Sequence, residues 1–133
     1  MNSTSRGVVL DTSGIVALIV GEPSASQIES RLRKGGPFYV AAPTLVELRL
    51  VLAGRLGRDA DKEIDALKSR IDFAVLPFTE THANVAFEAW TRYGKGRHPA
   101  GLSLGDCMAY AAAKVARAEL VYVGDDFSKT DLV

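Results

Sequence analysis

The chain has 133 residues, 47% of them hydrophobic and 24% charged, and its 16 basic and 16 acidic side chains cancel. This length fits one domain spanning residues 1–133 with a real core, and high apolar content without net charge excludes a disordered chain. A lone cysteine, Cys107, excludes a disulfide-stapled fold and fits a reducing, cytoplasmic setting, while the charge balance excludes a general polycation, so nucleic-acid binding requires a local basic patch.

Taken in chain order, residues 1–6 are polar and read as loose. Arg6 and the apolar stretch after it look like the start of a secretory leader, but Asp11 interrupts the run and opposes insertion. No apolar run approaches the roughly 20 residues of a membrane span. Residues 8–10 are a short apolar run, read as a buried strand. Thr12 or Ser13 can cap a helix over residues 14–20, which Gly21 and Pro23 break. A second helix runs to about residue 34, with Ile28 and Leu32 on one face. Residues 38–41 read as strand two, and a helix opened by Pro43 or Thr44 runs to Leu56 before Gly57. Residues 59–70 form a polar helix with Ile64 and Leu67 inward, and residues 73–76 read as strand three. Thr79 starts a helix with Val85, Ala86, Ala89 and Trp90 on one face. A glycine-rich loop at 94–99 leads to Ser103, which starts a nearly all-apolar helix to about Arg117. Residues 120–123 read as strand four. Strands alternating with helices predict an α/β domain with a mostly parallel sheet of four to five strands.

Most acids lie in polar stretches and read as a solvated face. Others stand where apolar neighbours make an isolated carboxylate very costly. Asp11 follows VVL directly, Glu47 sits within TLVELRLVLAG, Asp106 within LGDCMAYAAAKVA, and Asp125 with Asp126 follows LVYVG. Each has a plain structural explanation. Thr44-x-x-Glu47 and Ser103-x-x-Asp106 match helix capping boxes, Asp11 fits a helix N-cap, and Gly-Asp-Asp fits a turn. Their positions also agree with a shared site. Asp11 and Asp125 fall at strand ends and Glu47 and Asp106 in first turns of helices, and in an open parallel sheet these places face the same edge, where ligands bind. Clustered carboxylates raise each other's pKa. A hard divalent cation such as Mg²⁺ or Mn²⁺ resolves the repulsion, and the chemistry such a site suits is phosphodiester hydrolysis.

The order VVLDTSGIVALIVGEP, APTLVELRLVL, LSLGDCMAYAAAKVA, LVYVGDDFSKTDL resembles PIN-domain ribonucleases, and most of all the VapC toxins of VapBC toxin–antitoxin pairs. The resemblance runs from about residue 8 to residue 132. It implies a PIN-like fold and a Mg²⁺- or Mn²⁺-dependent endoribonuclease acting on structured RNA such as tRNA or rRNA. It also implies a homodimer neutralised by a VapB-type antitoxin whose tail covers the site. By the same resemblance Asp11, Glu47, Asp106 and Asp125 are the catalytic, metal-binding acids. Asp11 and Asp106 are then direct ligands, Glu47 holds the attacking water or acts as its base, and Asp125 completes the cage or binds a second ion when substrate arrives. Ser13 and Asp126 stand behind them. Two features depart from the pattern: Val123 replaces the Ser or Thr that many relatives carry two residues before the last acid, and that acid is doubled, so Asp125 and Asp126 compete for the role, with Asp125 favoured on the metal side.

A cationic approach surface for RNA is sought in Arg49, Arg55, Arg58, Lys95, Arg97 and His98. Cys107 reads as buried, His82 as exposed, and Trp90 with Phe87 as core or dimer interface. The competing readings are a PIN-like nuclease that is not a toxin, another Mg²⁺-dependent acid-cluster enzyme, and a catalytically silent binding module. A haloacid-dehalogenase-type phosphatase needs a second Asp where Ser13 stands, and a receiver domain needs an acid where the chain has Leu76-Pro77.

Overall fold

The structure is a computed structural model that describes residues 6–132; the polar residues 1–5, read above as loose, and residue 133 lie outside it. Four parallel strands form the sheet: β1 (Val8–Leu10), β2 (Phe38–Ala41), β3 (Ala74–Leu76) and β4 (Glu119–Val121), in the order β3-β2-β1-β4. Six helices flank it: α1 (Thr12–Val20), α2 (Ala25–Arg33), α3 (Ala42–Leu56), α4 (Asp61–Ile71), α5 (Glu80–Tyr93) and α6 (Leu104–Ala116). A 3-10 turn at Asp126–Lys129 follows β4. No helix among the described residues is long and apolar enough to cross a membrane.

β1 is buried along its whole length, as expected of a strand covered on both faces of a parallel sheet. Side chains alternate across a strand. Val8 and Leu10 therefore enter one core with Ile15, Ile28, Leu48, Leu52 and Ile64, drawn from α1 to α4. Val9 enters the other, with Ala86, Ala89, Ala109, Ala112 and Phe127. The alanines of α6 carry little bulk, and the helix packs against β1, β2 and β4 together. β1 pairs in parallel with β2 (Val8 opposite Phe38) and with β4 (Val8 opposite Glu119). The first crossovers run outward from β1 to β3. The last, through α5 and α6, returns to the far side of β1. The carboxyl end of β1 is therefore the point where the strand order reverses, the usual ligand position in this architecture.

Two boundaries differ from the sequence expectation in ways that matter. β4 ends at Val121, leaving Val123 in the segment after the strand. α3 begins at Ala42 directly from β2, with Pro43 in its first turn and no side-chain cap. Thr44 is thus inside the helix and buried, one turn before Leu48 on the same face. The capping box with Glu47 does not form, and Glu47 lies in the second turn rather than the first.

Candidate active site

Asp11 is the residue at which β1 becomes α1. Its N–H donates to the Val121 carbonyl at 3.0 Å, carrying the strand pairing one step further. Its carboxylate caps α1: Oδ2 accepts from the Ser13 N–H at 3.2 Å and from the Ser13 hydroxyl at 2.6 Å. The Ser13 oxygen in turn accepts the Val123 N–H at 2.9 Å. Ser13 thereby ties the first acid to the segment beyond β4. Asp11 is only 4% exposed. Burial pushes its carboxyl from an ordinary 3.8 up to about 6; the Ser13 hydrogen bonds oppose the rise, and the negative charges of Asp106 and Glu47 add to it.

Asp106 stands in the first turn of α6 and forms the expected capping box. Its Oδ2 accepts the Ser103 N–H at 3.0 Å, and the Ser103 hydroxyl accepts the Asp106 N–H at 3.2 Å. Its carboxyl is also raised, by burial first, against the Ser103 bonds and with the charges of Asp126 and Glu47. Capping and clustering are therefore not alternatives here. Each cap engages Oδ2 alone, while both side chains line the same cleft. Glu47 reaches that cleft from α3, where Oε1 accepts the Thr12 hydroxyl at 2.6 Å. The cleft holds about 280 Å³, and Thr12, Ser13, Glu22, Arg55 and Val123 complete much of its wall.

The fourth acid is placed differently. Asp125 is exposed, and its carbonyl accepts from Ser128 N–H and hydroxyl at 3.1 and 2.7 Å, holding the 3-10 turn. Asp126 opens that turn, and of the doubled pair it is the one whose charge raises Asp106. The donor set is chemically suited to a hard cation: carboxylate oxygens with uncompensated like charge. Arg55, the cation on the cleft wall, already pairs with Glu22 at 3.3 Å. Among the described residues no three such side chains are drawn close enough to cage an ion by themselves. Mg²⁺ needs no such cage, being commonly held by one or two carboxylates with waters filling its octahedron.

Of the basic candidates only Arg55 lines this cleft. Arg49 pairs with Asp61 at 3.1 Å and Arg58 with Glu63, both on the surface. Lys95 borders a separate, apolar groove of about 700 Å³ between α5 and α6. The Arg97 guanidinium lies 4.5 Å from the centre of the Trp90 ring. His98 Nδ1 accepts the Ala100 N–H at 3.0 Å. Cys107 is buried, as expected. His82 is buried rather than exposed, because its Nδ1 accepts the Thr79 N–H at 3.0 Å and completes the cap of α5. Phe87 and Trp90 are 66% and 38% exposed and do not belong to the core.

Sequence reasoning missed two neighbours of Glu47. Thr12 was read as a possible cap and instead holds Glu47. Gly105 sits against the Glu47 carboxylate, so close that a Cβ there would stand 2.7 Å from Glu47 Cδ. The only signal was adjacency: each of these residues flanks an acid of the cluster.

The PIN domain family model matches residues 8–133. The chain belongs to the PIN-domain family, within its VapC group. Ribonuclease VapC36 of Mycobacterium tuberculosis is 42% identical over 126 residues, covering 94% of this chain and 91% of that one. Among solved structures, the M. tuberculosis toxin VapC20, described as cleaving the sarcin–ricin loop, superposes with a TM-score of 0.76 at 19% identity, over 95% of this chain and 96% of that one. VapBC2 of Rickettsia felis, bound to a promoter DNA fragment, gives 0.72 at 18% identity over 95% and 94%. At those identities the structural neighbours speak for the fold.

Proposed function

We propose that the protein is a Mg²⁺- or Mn²⁺-dependent endoribonuclease, the toxin of a VapBC-type pair, hydrolysing phosphodiester bonds of a structured RNA such as tRNA or rRNA. The observation that carries this reading is that Asp11, Glu47 and Asp106, from three distant stretches of chain, line one cleft at the strand-order reversal, with the Asp11 carboxyl pushed up to about 6. The relatives named ribonucleases support the substrate class. When bound, the divalent ion supplies Lewis-acid polarisation of the phosphodiester and a lowered pKa for the attacking water. Asp11 and Asp106 present the oxygens that hold it. Glu47, at the cleft wall, would help hold the ion and its attacking water and would take that water's proton. The fourth acid comes from the Asp125–Asp126 pair, and Asp126 has the stronger claim because its charge reaches Asp106. Arg55 exchanges its Glu22 partner for an RNA phosphate, with Arg49, Lys95 and Arg97 as outlying contacts.

A VapB-type antitoxin is the expected partner, in keeping with the toxin–antitoxin assembly among the structural neighbours. The working form is a cytoplasmic homodimer. Its contact surface is the exposed apolar set of Phe87, Trp90 and Leu104 around the α5–α6 groove. Zero net charge leaves no long-range repulsion between copies.

The test is cleavage of purified total tRNA and rRNA. Activity is expected with Mg²⁺ or Mn²⁺, none in EDTA, and recovery on adding the ion back. Cleavage that continues in EDTA excludes this mechanism, and a chain that cuts no RNA with either ion points to a silent binding module.

A further inference from the structure

The Glu47 carboxylate is held from two sides by residues that are chain neighbours of the other two acids. Thr12, directly after Asp11 and 7% exposed, donates its hydroxyl to Oε1 at 2.6 Å. Gly105, directly before Asp106, lies under the carboxylate; a Cβ there would stand 2.7 Å from Cδ and 2.8 Å from Oε1, closer than real Cβ contacts come. Any side chain at 105 must push the Glu47 head group away from α6. Glu47 itself has three rotatable single bonds between its backbone and its carboxylate and is only half-buried. Without these two contacts its head group is free to sample several rotamers.

We propose that Thr12 and Gly105 form a seat that fixes Glu47 relative to Asp11 and Asp106, making both of them positioning residues for the reaction. The inference rests on the reading given under Proposed function. Its physical content is coupling. The dipeptide Asp11-Thr12 delivers one acid and the hydroxyl that holds a second. The dipeptide Gly105-Asp106 delivers the third and the gap that admits the second. Moving α1 or α6 therefore moves Glu47 with them, and the spacing of all three carboxylates is set by two hydrogen-bonded or close-packed contacts rather than by long flexible side chains. Loss of a partner that orients a metal-site side chain usually costs about 10–100-fold in metal affinity or activity.

The experiment compares the full-length chain with Thr12→Val, Thr12→Ser and Gly105→Ala. Mn²⁺ affinity is read by titration calorimetry, kcat and KM on an RNA substrate by cleavage, and folding by thermal melting. Thr12→Val keeps the shape and removes the donor; Thr12→Ser keeps the donor. The expected result is a folded Thr12→Val and Gly105→Ala, each roughly 10–100-fold weaker in Mn²⁺ binding or kcat, with KM for RNA unchanged and Thr12→Ser close to wild type. Thr12→Val with wild-type Mn²⁺ affinity and kcat overturns the seat, and so does Thr12→Ser failing as badly as valine. If Thr12→Val does not fold, Gly105→Ala decides: unchanged binding and kcat overturn the proposal. A wild-type chain that takes up no Mn²⁺ and cuts no RNA overturns the parent reading and the seat together. A wild-type chain that does both beside unaffected variants overturns the seat alone.

Discussion

Asp11 is under two influences that favour opposite protonation states: the hydrogen bonds it accepts favour the carboxylate, and its burial beside other acids favours the carboxylic acid. As a cap of α1 it accepts two bonds from Ser13; as a member of an acid cluster it is buried beside Asp106 and Glu47. The folded-state pKa, about 6, lies above the ordinary 3.8. Between those values the unfolded chain has lost the proton and the folded chain keeps it, so stability is fully present below about pH 4 and falls as pH rises through 6. By linkage the ionised form costs on the order of 3 kcal/mol. Asparagine caps helices as well as aspartate. Asp11→Asn is therefore expected to abolish RNA cleavage while melting at or above wild type at pH 7 without divalent ions, with the gain vanishing below about pH 4. A melting temperature well below wild type at pH 7 contradicts the account. At this scale the acids of the cluster were legible because carboxylates in apolar runs are costly. The side chains that orient Glu47 were not: a threonine hydroxyl and a missing Cβ cost nothing in sequence patterning, and their meaning depends on two chain segments that meet only in the fold.

The start of α6 shows how an element places a functional group. Ser103 and Asp106 exchange backbone hydrogen bonds, fixing the first turn and the acid in it. Ser103→Ala removes one half of that exchange and is expected to cost about 1 kcal/mol, within the usual range for a lost cap. Because Asp106 loses the turn that orients it, RNA cleavage falls by more than the small folded fraction lost; paired melting and cleavage measurements check this. This box was readable from spacing alone. The same spacing at Thr44 and Glu47 misled. α3 starts two residues before Thr44, straight out of β2, and burial of Thr44 and Leu48 on one helix face outweighs a cap. The end of β4 was misjudged for a similar reason. Tyr122 and Val123 are good strand formers, but the chain leaves the sheet at Val121 so that the Val123 N–H can meet Ser13.

At the scale of the molecule, the strand order brings the cluster together. Placing β4 beside β1 sets Asp11, the α6 start and the turn after β4 at one sheet edge, and α3, which packs on both α1 and α6, adds Glu47. The parallel α/β class followed from the alternation of elements. The order β3-β2-β1-β4 did not, since short apolar strands carry no record of their neighbours. The α5–α6 face bears on assembly. Leu104, 74% exposed at the rim of the groove, is expected to be covered by a second copy. Leu104→Glu should convert a dimer to a folded monomer in light scattering; a wild-type chain that is monomeric at every concentration contradicts the dimer.

Under the proposed function, three carboxylates from separate stretches of chain make one divalent-cation site. The most direct measurement is the anomalous signal of a crystal soaked in Mn²⁺. A peak is expected in the cleft bounded by Asp11 and Asp106, lost in Asp11→Asn crystals. A Mn²⁺-soaked crystal with no peak there, or a peak that survives Asp11→Asn unchanged, contradicts it.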